Sequence, residues 1–115
     1  EWVEQGMHFD KAILIGPVVM MQAAARTTRD LSISALASLN PIMVDGTGMC
    51  GACRVTINGE TKFACVDGPE FDAHGVDFGE LILRNRSYRK QEVEAVEVMK
   101  AHECQAEAAK AENHV

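Results

Sequence analysis

Residues 11–39 read KAILIGPVVMMQAAARTTRDLSISALASL, and the change of period inside this stretch decides the fold. Lys11–Ile15 is a short apolar run of the kind found in a buried strand, and Gly16-Pro17 closes it. Pro17 suits the first turn of a helix, where a missing N–H removes no bond, and Val18, Met21, Ala25 and Thr28 recur at helical spacing as far as about Arg29. Residues 33–39, ISALASL, read as a second buried strand. The stretch therefore predicts a parallel, right-handed strand-helix-strand unit. Two strands and one helix do not make a stable sheet alone. Upstream, EWVEQGMHFD lacks the basic-then-apolar layout of a signal peptide and reads as a helix tail leading into the first strand. The chain is accordingly expected to be a piece of a longer protein, with more of the same fold on its N-terminal side.

Downstream, the character changes at Asn40-Pro41, where glycines 46, 48, 51, 59 and 68 crowd among short strand candidates. RVTI (54–57), the Asn58-Gly59 turn and ETKFAC (60–65) form a hairpin pattern, because Asn-Gly accepts the positive φ angles of a tight turn. DGPEF (67–71) reads as a further turn. Asp77 followed by Glu80 is a helix-capping pattern ahead of LILRN, and residues 89–109 carry the Ala, Glu, Lys and Val content of a long helix. The expected architecture is α/β in three parts: the strand-helix-strand piece over 1–40, a small β-rich lobe over 41–76 and C-terminal helices over 77–115. Tyr88, Ala95, Val98 and Met99 are the residues expected to seal the last helix onto the first part.

Composition excludes several classes. The 115 residues carry a formal net charge of -6 and no Lys/Arg cluster, which argues against nucleic acid as a partner, since phosphate binding needs a basic surface. No apolar run approaches the length of a membrane span. Four cysteines without a secretory signal favour reduced thiols and a cytoplasmic setting over a disulfide framework. Arg84, Arg86 and Arg89 read as a solvated helix face, with an acidic partner or cofactor phosphate as the functional alternative. His8, His74, His102 and His114 have no mutual spacing that builds a catalytic cluster, and no Ser/His/Asp constellation stands out.

The chemistry concentrates in DGTGMCGACRV, residues 45–55. Cys50 and Cys53 form a Cys-x-x-Cys pair, and Cys65 follows at hairpin distance. A 2Fe-2S cluster needs four protein donors, and the plant-type spacing is Cys-x4-Cys-x2-Cys with a remote fourth ligand. Counting back from Cys50 places the first donor at Asp45, and Cys65 is the remote one. The glycines at 46, 48 and 51 let the backbone curl closely around such a group with its N–H groups turned inward. A carboxylate keeps the charge of a thiolate but is a harder donor, so Asp45 is expected to alter the cluster's potential and lability. Three other readings stand beside this one. A structural zinc site at a subunit interface could combine Cys50, Cys53 and Cys65 with a histidine such as His74 or with an aspartate. A thioredoxin-like pair would open a helix, whereas a strand pattern follows here. A thiol switch would cycle a Cys50–Cys53 disulfide. Cys104, far along an Ala/Glu-rich helix, reads as a free cysteine.

Residues 38–81, SLNPIMVDGTGMCGACRVTINGETKFACVDGPEFDAHGVDFGEL, resemble the iron-sulfur domain of the small subunit of NADH-dependent reduced ferredoxin:NADP oxidoreductase, also called the sulfide dehydrogenase ferredoxin-reductase-like subunit. They are more distantly similar to the electron-transfer subunit of dihydroorotate dehydrogenase B, in which a cysteine stands where this chain has Asp45. The first resemblance implies Asp45, Cys50, Cys53 and Cys65 as cluster ligands. AILIGPVVMMQAAA resembles the Gly-Pro-x-x-Met segment that closes the nucleotide domain of ferredoxin-reductase-like flavoproteins. It implies that residues 1–40 are the C-terminal part of a Rossmann-type NAD(P)-binding domain, with Gly16 and Pro17 near the nicotinamide; a plain strand-to-helix turn is the simpler reading of the same residues. The family implies FAD and NAD(P)H in the parent protein, bound largely by segments preceding residue 1, so this piece alone is expected to be inactive. It also implies a larger iron-sulfur flavoprotein subunit as partner, with ferredoxin as a further one. The open edge of the half-sheet predicts pairing with a partner subunit or a second copy.

Overall fold

The computed structural model describes residue 3 and residues 5–112, with side chains described as far as residue 100. The side chains of His102 and Cys104, and all of His114, lie outside the described residues. The chain divides into two compact units, Glu1–Asn85 and Arg86–Val115. The elements in chain order are β1 (Lys11–Ile15), α1 (Val18–Asp30), β2 (Ser34–Ser38), β3 (Arg54–Ile57), β4 (Glu60–Phe63), α2 (Ala64–Asp67), β5 (Glu70–Asp72), α3 (Phe78–Asn85) and α4 (Arg89–Glu112).

The strand-helix-strand unit forms as its period predicts. β1 and β2 are parallel, with Lys11 opposite Ser34 and Ile15 opposite Ser38. Helix α1 begins where the Pro17 carbonyl accepts the N–H groups of Met20 and Met21, at 2.9 and 3.0 Å. Its Met21 and Ala25 are buried, on the face laid against the two strands. The expectation of two buried strands needs correction. Ile13 and Ile15 are 66% and 71% exposed, because side chains alternate across a strand and α1 covers only the face that carries Leu14. β1 is also an edge of its sheet.

A second correction concerns residues 67–71, which the sequence presents as a turn. Glu70–Asp72 is a strand, paired antiparallel to β2 with Leu36 opposite Asp72 and Ser38 opposite Glu70. The Leu39 N–H donates to the Pro69 carbonyl at 3.0 Å and the Ala73 N–H to the Ala35 carbonyl at 2.9 Å, continuing the ladder at either end. Three residues are too few for alternation to register in a sequence. The free edge of β2 supplies the order that local pattern does not.

β3 and β4 form the expected hairpin, with Ile57 opposite Glu60 across Asn58-Gly59. Both turn residues have positive φ, 51° and 81°, as a two-residue hairpin turn of this twist requires. The inward side chains of β3, Val55 and Ile57, join Leu14, Met21, Ala35, Ala37, Phe78 and Leu81 in one hydrophobic core. The cysteine-bearing hairpin and the strand-helix-strand unit are therefore packed by the same side chains.

Helix α3 closes this core with Phe78 and Leu81. Its start is fixed by the Asp77 carboxylate, whose Oδ1 accepts the Glu80 N–H at 2.9 Å, while the Asp77 N–H donates to the Thr56 carbonyl at 2.9 Å. Removing the cap with Asp77→Ala is expected to cost about 0.5–2 kcal/mol in chemical denaturation, and Asp77→Ser is expected to recover most of it.

Helix α4 forms over Arg89–Glu112, the long helix that the composition of residues 89–109 predicts.

Candidate metal centre

Residues 39–53 contain no helix or strand and turn through glycines with positive φ, among them Gly48 at 81° and Gly51 at 67°. At Gly48 a Cβ would sit 3.0 Å from a Val66 methyl. The close approach explains why this position is a glycine: the loop lies directly on the segment that carries Cys65.

Asp45 organises the first half of the loop. Its Oδ1 accepts the Thr47 N–H and its Oδ2 the Cys50 N–H, each at 2.9 Å. The Thr47 N–H, and after it the Cys50 thiol and N–H, hold the carboxyl below its ordinary range despite some desolvation. Asp45 is thus a carboxylate at neutral pH, the form a metal ligand needs, and lone pairs remain on both oxygens. Cys50 is exposed beside it.

Cys53 and Cys65 form a second pair through the hairpin. Arg54 pairs with Phe63 in the β3–β4 register, and the Ala64 N–H donates to the Cys53 carbonyl at 3.2 Å. The chain then turns into α2, helped by the Asp67 carboxylate, whose Oδ2 accepts the Phe63 N–H at 2.7 Å. This turn brings the sulfurs of Cys53 and Cys65 to 3.2 Å. Their hydrogen bond, with desolvation second, pushes the Cys65 thiol above its ordinary pKa. Cys53 is only 2% exposed, and Cys65 is half-buried.

Two supports were not legible as such in the sequence. Arg84, grouped by sequence with a solvated helix face, reaches from α3 to donate through Nη2 to the Ala52 carbonyl at 3.2 Å, between Cys50 and Cys53. Asp67 fixes the turn of Cys65. Only the tertiary placement of α3 and the exit of β4 assign these residues to the loop. A Cβ at Gly51 would also meet Arg54 Nη1 at 3.4 Å.

His74 is not with the cysteines. Its Nε2 is hydrogen-bonded to Thr28 Oγ1 at 3.1 Å, its N–H donates to Asp72 Oδ1 at 3.0 Å, and Arg29 Nη2 donates to its carbonyl. The zinc reading through His74 is therefore not favoured: β5 turns this histidine toward α1. Among the described residues no three His, Cys, Asp or Glu side chains converge on one point, as a single tetrahedral ion requires. A two-iron cluster asks for something else, two donors at each iron; here the Asp45 carboxylate accepts the Cys50 backbone N–H and the sulfur of Cys53 lies against that of Cys65. Three thiols and one carboxylate of this kind fit that group. Gly16 and Pro17 form the β1–α1 turn, where Gly16 has a φ of 149° and a Cβ would lie 2.8 Å from Met20 Cε.

Residues 40–77 match the iron-sulfur cluster binding domain of dihydroorotate dehydrogenase B. Around this iron-sulfur domain the chain is 57% identical over 91 residues to an uncharacterized protein in the adh 3'region of Clostridium beijerinckii, covering 79% of this chain and 31% of that protein. It is 55% identical over 84 residues to a dihydroorotate dehydrogenase B (NAD(+)) electron transfer subunit homolog of Thermotoga maritima, covering 73% of this chain and 30% of the relative. It also superposes with a TM-score of 0.78 and 48% identity on a chain of the NADH-dependent reduced ferredoxin-NADP oxidoreductase structure, solved for its bearing on flavin-based electron bifurcation. That match covers 85% of this chain and 36% of the other. The chain thus spans about a third of the length of these relatives. Two of these relatives are named as oxidoreductase components, an electron transfer subunit homolog and a ferredoxin-NADP oxidoreductase chain. Among the described residues no helix is long and apolar enough to cross a membrane.

Proposed function

We propose that the chain is the electron-transfer end of a flavin and iron-sulfur NAD(P)H oxidoreductase, holding a 2Fe-2S cluster through Asp45, Cys50, Cys53 and Cys65. The observations that carry this reading are the Asp45 carboxylate accepting the Cys50 backbone N–H at 2.9 Å and the Cys53 and Cys65 sulfurs 3.2 Å apart. When bound, the cluster supplies one-electron storage between a two-electron flavin and a one-electron acceptor. Asp45 and the three thiols would hold it, and Arg84, donating to the Ala52 carbonyl, would keep Cys50 and Cys53 at their spacing. The burial of Cys53 keeps water from that sulfur, whereas exposed Cys50 faces the side open to a partner.

In the whole protein, residues 1–40 would complete a Rossmann-type nucleotide domain, with Gly16 and Pro17 at the start of α1 beside the dinucleotide. FAD would be bound by the preceding part of the chain, and a larger iron-sulfur flavoprotein subunit would exchange electrons with the cluster. The unpaired edge of β1 and its exposed Ile13 and Ile15 suit pairing with other chain or subunit surface, and a second copy is an alternative occupant. A cytoplasmic setting follows from thiol ligands that must stay reduced. The test is the visible spectrum and metal content of anaerobically purified protein. Charge-transfer bands that bleach with dithionite, with about two irons per chain, are expected; a colourless protein holding stoichiometric zinc would overturn the assignment.

A further inference from the structure

We infer that Cys53 and Cys65 form a redox modification site in the cluster-free chain, closing a disulfide at the expense of glutathione disulfide or a similar low-molecular-weight disulfide. Sequence spacing alone points to Cys50–Cys53 as the redox pair. The fold points elsewhere. Cys53 and Cys65 lie in sulfur contact at 3.2 Å, whereas Cys50 is held on the Asp45 side of the loop, its N–H bonded to the carboxylate and its sulfur accepting the Ala52 N–H at 3.5 Å. The contact is built into the hairpin, since the Ala64 N–H to Cys53 carbonyl bond ties the two segments together.

The two thiols differ in access, and this sets the order of events. Half-buried Cys65 meets the external disulfide first. Its thiolate attacks one glutathione sulfur, the glutathione S–S bond breaks, and the departing thiolate takes up a proton. Buried Cys53, already against Cys65, then attacks the mixed disulfide. The second glutathione leaves and takes the proton of Cys53. Two cysteine thiols are oxidised and one glutathione disulfide is reduced to two glutathiones. The product lacks two of the four donors of the loop, so it accepts no cluster until it is reduced. That consequence rests on the cluster reading, but the disulfide itself does not.

The experiment treats the cluster-free protein in a Cys104→Ser background with glutathione disulfide under native conditions, then alkylates, digests with trypsin and maps the cysteines. Cys53 and Cys65 lie on different tryptic peptides, because Arg54 and Lys62 separate them. The expected result is a mass loss of two hydrogens, a cross-peptide link between Cys53 and Cys65 confirmed by fragmentation, and alkylated Cys50. The link should persist in Cys50→Ser and vanish in Cys53→Ser. A Cys50–Cys53 link within one peptide, a Cys50–Cys65 link, or alkylation of all three cysteines would overturn the proposal. Because fragmentation of the parent protein and Cys50→Ser suffice, misfolding of Cys53→Ser does not blunt the test. Iron and sulfide reconstitution supplies the second arm: loading should be lost after oxidation and return with dithiothreitol. Failure to load even when fully reduced, with the disulfide mapped as expected, counts against the cluster assignment and leaves the disulfide standing.

Discussion

Asp45→Ala is expected to lower retained iron by more than about tenfold, as loss of even a supporting partner of a metal ligand costs 10–100-fold. Two effects add in this variant. One is the loss of a donor, leaving an iron with a single protein ligand. The other is structural, because the carboxylate also accepts the N–H groups of Thr47 and Cys50, and an alanine leaves the loop without that brace. Two further substitutions separate the effects. Asp45→Cys restores a donor but not the paired N–H bonds, so it should keep the cluster with a shifted visible spectrum and reduction potential. Asp45→Asn keeps one acceptor oxygen for the loop but loses the anionic ligand, so it should behave more like alanine in iron content. Unchanged iron content and spectrum in Asp45→Ala would remove Asp45 from the ligand set.

Met21→Ala should cost about 2–5 kcal/mol of stability, through lost transfer energy and the cavity left behind. Met21 is fully buried, at 0% exposure, and belongs to the core that joins α1 and the sheet to β3 and α3. A domain of this size should show a fall in thermal midpoint of roughly 10 °C or more. Met21→Leu, which nearly conserves volume, should cost less than about 1.5 kcal/mol. Val19→Ala, at a neighbouring exposed position, should stay within about 0.5 kcal/mol. Because this core also carries β3, which begins beside Cys53, Met21→Ala should further weaken cluster retention on mild heating. A Met21→Ala protein as stable as the parent would show that the hairpin and the strand-helix-strand unit do not depend on a shared core.

The sequence was informative wherever a short-range rule applied. Pro17 started α1, the 3.6-residue spacing of Met21 and Ala25 named its buried face, Asn58-Gly59 made the hairpin turn and Asp77 capped α3. Each of these depends on residues a few positions apart, whose geometry local stereochemistry dictates. The residue types and spacing of Asp45, Cys50, Cys53 and Cys65, on which the proposed ligand set rests, are read in the same local way. Pattern misled where exposure depends on what covers a face. Ile13 and Ile15 look like core residues, but α1 covers only the opposite side of β1. Glu70–Asp72 looks like a turn, but the edge of β2 makes it a strand. Arg84 looks solvated until α3 is docked and its guanidinium meets the Ala52 carbonyl.

By itself, then, the sequence determined which atoms can bind a metal and which local turns present them, because ligand chemistry and turn geometry are properties of a few adjacent residues. Tertiary structure alone decided that Cys65 rather than Cys50 lies against Cys53 and that His74 is turned away toward Thr28. Those pairings are set by the hairpin register and by a core that the hairpin shares with the strand-helix-strand unit, and no local spacing encodes them.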